Sequence, residues 1–591
     1  QGDLAEITGS TVTDQYREKE VTVTEAVNQL LNWASTKENQ VGSTDKDRLA
    51  FAKSLGMVKE GVEGSAPVTI LTSMVDVAKQ LRAAYRADKK TPLFLNGKAQ
   101  PIFPFTPGDD PEHYSYDKSD IVRYIVYVET DYDTDGDGKP DLVKTFVQVP
   151  KAAVNGDYKA ATIFEASPYV TGTTEERTLE AIGLKEGGKF DMAKLYEKPA
   201  KRQATKSVTT EEVAKATDPK DWYYVNPRES SEDYTHYDYE NLNWYNYFLV
   251  RGYAVVTSSG LGSKGSDGIN TTGSDLEVAA YKNIVEWLNG KRKAYSDKTS
   301  NQEVKADWSN GNVAMTGLSW AGTTTFGVAS TGVEGLKTIV PAAGIASWYD
   351  HFNSQGSPLD TGASNDLSWL SVYTSGRILD KEDWDKVKDY YAAYITKLNE
   401  LQHKDGHNYN EEYAKRDYTL NAANLKAALL IIQGLNDDNF KPKHFELMLD
   451  AYKKAGIDAK VLLHQGNHIY PSTRWSGTEV AGQAFNDLMN LWYSHYLYGI
   501  ENGIENLPQV TAQDNLDPSK WRRFDKWDTN NAISARIYSK REDVTVTGDY
   551  YGTGNNWTTR NQDAAFHASE VAASYAATVD QDVTIKGHIP V

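Results

Sequence analysis

Ser319, Asp437 and His468 are the side chains whose types and order suggest covalent chemistry: a hydroxyl nucleophile, a carboxylate and an imidazole. Ser319 sits in Gly317-Leu318-Ser319-Trp320-Ala321-Gly322, after the apolar run Asn312 to Thr316 and before the small, proline-free run Thr323 to Ala329. Strand, sharp turn and helix are expected there. A turn that tight exposes a serine hydroxyl only when the residues two before and two after it are small, and Gly317 and Ala321 satisfy this. The pattern is that of a nucleophile elbow, in which backbone N–H groups after the serine face a developing oxyanion. It departs from strict G-x-S-x-G, because Ala321 holds the last position and Gly322 follows it.

A serine hydroxyl becomes a useful nucleophile when a neutral imidazole takes its proton and a carboxylate orients that imidazole. In an α/β-hydrolase sheet these groups follow successive parallel strands in the order Ser, Asp or Glu, His. The apolar run Ala427 to Gln433 leads into Gly434-Leu435-Asn436-Asp437-Asp438, and Ala459 to His464 leads into Gln465-Gly466-Asn467-His468. Asp437 is preferred to Asp438 for its place three residues after Gly434. His468, beyond a glycine turn, can reach across the sheet top, whereas His464 inside the strand end is expected to be packed. A metal reading of the two histidines fails for want of a third ligand pattern. The backbone N–H of Trp320 and the phenol of Tyr169, after the strand ending at Phe164, are the expected oxyanion donors. With 37 tyrosines in the chain, position alone singles out Tyr169.

The elements that must hold these groups read as an α/β fold. Apolar runs at 160–164, 253–258, 338–342, 427–433 and 459–464 alternate with helical stretches, as a parallel sheet with crossovers requires. The 591 residues divide into a helical N-terminal domain with linker (1–115), a catalytic α/β domain (116–505) with a helical insertion or cap at about 365–424, and a C-terminal β domain (506–591). Pro92 to Pro107 reads as an extended connection, and the strand-like ending Val583 to Val591 makes the β domain look incomplete.

Between the alternating runs Asp120 to Glu129 and Leu142 to Val149 lies a markedly acidic loop. Asp133, Asp135, Asp137 and Asp141 fall at positions 1, 3, 5 and 9 of a D-x-D-x-D-G calcium loop, but Lys144 occupies position 12, where such loops close with glutamate. The alternatives are a structural Ca2+ and a solvated acidic turn; catalysis calls for no cofactor. A formal charge of −19 argues against nucleic acid as partner, no apolar run is long enough to span a membrane, and zero cysteines exclude disulfides. Zero cysteines, acidic composition and a start at Gln1 point to a secreted or cell-surface bacterial protein, with a cytoplasmic one as alternative.

The chain resembles the X-prolyl dipeptidyl aminopeptidase family of serine peptidases. The likeness runs from Leu95-Asn96-Gly97-Lys98 to His468-Ile469-Tyr470, through Ser263-Lys264-Gly265-Ser266-Asp267-Gly268, Trp287-Leu288-Asn289-Gly290, Val313 to Trp320 and Ala346-Ser347-Trp348-Tyr349. The resemblance implies Ser319, Asp437 and His468 as a triad, Tyr169 and Trp320 N–H as the oxyanion hole, and Trp348, next to Tyr349, in the pocket for proline. Asn439 matches a position that helps hold the substrate's free amine; with Asn365 at the place of the family's amine-pairing acid, Asp366 or Asp350 is the substitute for it. Peptides with proline at the second position, a homodimer supported by the N-terminal domain and a jelly-roll-like C-terminal domain are implied as well. Trp320 stands where the family usually has tyrosine, Asp438 where it has tryptophan, His351 where it has an aromatic residue, and Asn365 where it has an acid.

Overall fold

The computed structural model describes residues 22–31, 44–54, 58–67, 91–103, 105, 107–109, 113–218, 221, 244–359, 366–471 and 480–527. Ten strands carry the main sheet: β1 (Ile121–Glu129), β2 (Leu142–Pro150), β3 (Ala160–Ala166), β4 (Ala254–Ser258), β5 (Ser309–Leu318), β6 (Leu336–Ala342), β7 (Ala428–Gly434), β8 (Ala459–His464), β9 (Val510–Gln513) and β10 (Trp521–Phe524). They lie in the order β10-β9-β8-β7-β6-β5-β3-β4-β2-β1, and three short strands extend the β1 edge. The seven from β9 to β4 run parallel, with antiparallel partners at both margins. This is the α/β-hydrolase arrangement expected from the alternating apolar runs.

The helices that matter are α1 (Asp275–Leu288), α2 (Trp320–Ala329), α3 (Leu367–Thr374), α4 (Lys381–Gln402), α5 (Lys443–Ala455) and α6 (Phe485–Tyr498). On one sheet face Ile163, Val255, Ala314, Val340, Ile432 and Leu462 pack with Leu488, Met489, Trp492 and Leu497 of α6. Burying each such side chain contributes about 1.5–3 kcal/mol. All ten residues of α2 are buried, which explains why its sequence carries no charge and has no polar face. The helical insertion expected at about 365–424 is present as α3 and α4 with short helical turns at Glu411–Ala414 and Tyr418–Asn424.

Two expectations change. Residues 1–524 form one compact unit, and residues 510–524 lie in its sheet, beyond the boundary expected at 506. The cause is hydrogen bonding: β9 pairs in parallel with β8, and β10 closes back on β9, so 510–524 complete the sheet. The stretch 92–107 begins with a hairpin, Leu93–Leu95 against Lys98–Gln100, turned by Asn96 (φ 54°) and Gly97 (φ 76°). That is the Asn-Gly turn whose positive φ values match strand twist. It is anchored on α6, where Asn490 exchanges hydrogen bonds with the Ala99 backbone at 2.7 and 2.9 Å. Residues 525–591 form a second unit. The expected β domain beyond 527 and the helix expected around 75–84 lie outside the described residues.

Candidate active site

Parallel register brings the strand ends to one edge. Leu318 pairs with Ala342, Ala342 with Ile432 and Gly434 with His464, so the loops after β5, β7 and β8 leave the sheet side by side. Ser319 begins its loop with φ 70° and ψ −128°, a region that costs a non-glycine residue about 1–3 kcal/mol. Neighbours hold it there. Ser319 N–H donates to Ala342 O at 2.9 Å, and a Cβ on Gly317 would fall 2.4 Å from Ala321 Cβ. Gly322 is needed for a different reason: a side chain there would sit 2.6 Å from Ala342 O and 2.8 Å from Gly317 O. Ala321 therefore fits at the last elbow position because Gly317 opposite it has no side chain.

The Asp437 and His468 loops are laced together. Leu435 N–H donates to His464 O at 2.8 Å, Asn436 N–H to Gly466 O at 3.2 Å and Asn436 Nδ2 to Gln465 O at 2.7 Å. Gly434 permits this, since a Cβ there would meet Asn467 O at 2.2 Å. The result is a 2.7 Å hydrogen bond between His468 Nδ1 and Asp437 Oδ2. Asp437 Oδ1 accepts from Asn439 and Phe440 N–H at 3.0 and 2.8 Å. The carboxylate thus favours the tautomer in which Nδ1–H donates, leaving Nε2 as the basic nitrogen. Among the described residues the Ser319 hydroxyl makes no hydrogen bond. His464 is packed as expected, with Nδ1 accepting from Gly466 N–H, and burial pulls its pKa down to about 4.

An arc of rings flanks these groups. Centroid separations are 6.0 Å from Tyr169 to Trp320, 5.0 Å to Trp348, 6.2 Å to His351, 4.8 Å to Phe440 and 5.0 Å to His468. Tyr169 also meets Tyr373 at 6.1 Å and is 37 % exposed, and a phenol is a proton donor at neutral pH. Trp320 N–H is the first of α2 and has no carbonyl to bond within the helix. Burial, reinforced by His444, holds the His351 pKa well below its ordinary value. His351 is therefore a neutral ring, which explains how it occupies an aromatic position.

Trp348 is enclosed by its neighbours. It is only 1 % exposed, and its Nε1 donates to Tyr418 OH at 2.9 Å, which donates to Gly273 O at 2.6 Å. Its indole therefore presents almost no surface of its own. Tyr349 OH donates to His407 O and accepts from Gly356 N–H, both at 3.0 Å, so it braces a loop. Asn439 is exposed beside Asp437. Asp366 Oδ1 caps α3, accepting from Trp369 N–H at 2.6 Å and Ser368 Oγ at 2.8 Å. Asp350 pairs with Lys443. Asn365 lies outside the described residues.

Glu277 and Phe440 were missed by the sequence reading. Glu277, in α1, accepts from Trp320 Nε1 at 3.1 Å and Asn270 Nδ2 at 3.3 Å, and burial raises its pKa to about 7. Nothing in its local sequence separates it from an ordinary helix glutamate. Of the acidic-loop residues, Asp133, Asp135 and Asp141 bring carboxylate oxygens within 4.8 Å of one another, and Asp137 stands outside that group, exposed.

A model of the X-Pro dipeptidyl-peptidase (S15) family matches residues 135–470, from the acidic loop through the His468 loop. The Xaa-Pro dipeptidyl-peptidase of Pediococcus pentosaceus is 36 % identical over 439 residues, covering 74 % of this chain and 51 % of that protein. That of Ligilactobacillus salivarius is 34 % identical over 456 residues, covering 76 % and 53 %. The chain spans about half the length of these curated relatives. Among solved structures, an aminopeptidase from a Thaumarchaeota archaeon of marine sediment aligns at TM-score 0.42 and 17 % identity, covering 74 % of this chain and 63 % of that one. By the family match over more than half of its length, the chain belongs to the X-Pro dipeptidyl-peptidase (S15) family.

Proposed function

We propose that the chain carries the catalytic centre of a serine exopeptidase that releases N-terminal X-Pro dipeptides through an acyl-enzyme. The observation that carries this reading is the 2.7 Å His468–Asp437 bond on the edge where Ser319 leaves β5 in a strained turn, within a chain of this family. Ser319 Oγ attacks the carbonyl of the second residue as His468 Nε2 takes its proton, and Asp437 steadies the imidazolium. Tyr169 OH and Trp320 N–H are the donors for the oxyanion. His468 then gives the proton to the leaving amine, and water repeats the sequence to free the dipeptide. The ring arc, with neutral His351 in it, suits the flat apolar ring of proline. We further infer that copies of this chain pair as a homodimer.

A second reading, an esterase or acyl-amino hydrolase with the same triad, is favoured by one observation. The two carboxylates on hand for a substrate ammonium are engaged, Asp350 by Lys443 and Asp366 Oδ1 by the α3 cap. The test uses an Ala-Pro amide, its N-acetylated form and a simple ester. Cleavage of the free-amine amide alone is expected. Comparable cleavage of both amides replaces the exopeptidase by the second reading, and silence on all three with Ser319 unlabelled by a fluorophosphonate defeats both.

A further inference from the structure

The acidic loop between β1 and β2 is unusual in where its charge goes. Asp133 and Asp141 are 3 % and 1 % exposed, and the Asp135 side chain is 5 % exposed. Three carboxylates withdrawn from water and within 4.8 Å of one another need positive charge. Among the described residues the side-chain cation bonded to them is Arg377, whose Nη1 donates to Asp135 Oδ2 at 2.7 Å, while the N–H groups of Gly136 and Gly138 hold Asp133 at 2.7 and 2.8 Å. The Arg377 guanidinium also holds both oxygens of Asp383, at 2.8 and 3.0 Å, so it is shared among more acid than it can neutralise.

The oxygens themselves point to an additional ligand. Asp141 Oδ2 accepts from Thr134 N–H and Oγ1 at 2.9 and 2.6 Å, whereas Asp141 Oδ1 is buried and accepts no hydrogen bond. Tyr390 OH, in α4, is likewise buried without a partner, and its ring lies against Gly136 of the loop. Such orphaned atoms each cost about 1–3 kcal/mol unless something meets them. A cavity of about 190 Å³ reaches Asp135, lined by acids and by the cations Lys139, Arg202, Lys298, Arg377 and Lys386; neither Asp133 nor Asp141 lines it.

The geometry points to a calcium site formed by Asp133, Asp135 and Asp141. Calcium binds oxygen at about 2.3–2.6 Å, so two ligands of one ion lie at most about 5 Å apart, the spacing found here. Lys144, at the position where a closing glutamate stands in such loops, instead lies over the Phe146 ring, and Asp141 is the deep ligand in its stead. The loop also touches the helical insertion, through Arg377 and Tyr390, so the ion would fasten the β1–β2 hairpin to that insertion.

The test titrates calcium chloride into the chelator-treated full chain by calorimetry, with magnesium chloride in parallel. One saturable calcium site per chain is expected, with a rise in melting temperature of roughly 2–4 °C at saturation. Asp141→Asn, which keeps shape and removes charge, should weaken binding at least about 30-fold. Absence of a saturable site in the unmodified chain, equal binding of magnesium, or full affinity in a folded Asp141→Asn protein overturns the proposal. The unmodified titration decides even where that variant does not fold, and none of these readouts depends on peptidase activity.

Discussion

Asp437 and Asp141 are buried almost equally, at 3 % and 1 % exposure, yet their oxygens are employed differently. Asp437 is satisfied within the chain: two backbone N–H groups hold Oδ1 and His468 holds Oδ2. Asp141 has one oxygen bound twice by Thr134 and the other bound by nothing. A catalytic carboxylate must stay ionised and still while an imidazole charges and discharges, so fixed donors suit it. The open oxygen of Asp141 is the one that a cation could take. Depth of burial alone does not distinguish Asp437 from Asp141; that unbound oxygen does.

The sharpest way to break this comparison is Asp437→Asn, which keeps the shape but offers His468 the wrong partner. A fall in kcat of about 10⁴-fold is expected, with calcium affinity unchanged by calorimetry. Activity within tenfold of the parent would remove Asp437 from the mechanism.

The buried histidines give a smaller and pH-dependent effect. His444 and His464 titrate at about 3 and about 4 in the folded chain, lowered mainly by burial, against about 6.5 when unfolded. The unfolded chain therefore binds more protons between those values, and stability rises with pH across that window. It is present above about pH 6.5 and lost as pH falls towards 4. Urea midpoints measured from pH 7.5 to 4.5 should decline steadily, and less steeply in His464→Gln. An identical slope in that variant removes His464 as a contributor.

Glu277 should show the opposite sign and the smallest effect. Its folded pKa of about 7 lies above the ordinary glutamate value, so its contribution is present at low pH and lost as pH rises through 7. Glu277→Gln keeps an acceptor for Trp320 Nε1. It should match the parent in melting temperature at pH 4.5 and exceed it by about 1–2 °C at pH 8.5. A lower melting temperature at both values would mean that Trp320 needs the charged form.

Much of the site was legible because it depends on local geometry. Small residues around Ser319, glycine at 434 and 466, and apolar runs before each loop are requirements that the chain satisfies within a few residues. Other parts were not legible because they depend on distant partners. Asp350 and Asp366 are free acids on paper and occupied ones in the fold, Trp348 is a pocket residue on paper and a buried support in the fold, and 506–524 has the texture of a separate β domain yet completes the central sheet. The Asn96-Gly97 turn also has a local signature, set among neighbouring prolines.

By itself, the sequence determined the parallel α/β sheet, the strained turn at Ser319 and the chain order of serine, acid and histidine. Strand periodicity and turn sterics are short-range, so they leave a local trace. Only the tertiary structure decided which carboxylates are spent, that His351 is neutral, that Glu277 lies under Trp320 and that Asp141 keeps an oxygen open. Solvation and hydrogen-bond partnership come from residues far apart in the chain, and no local pattern records them.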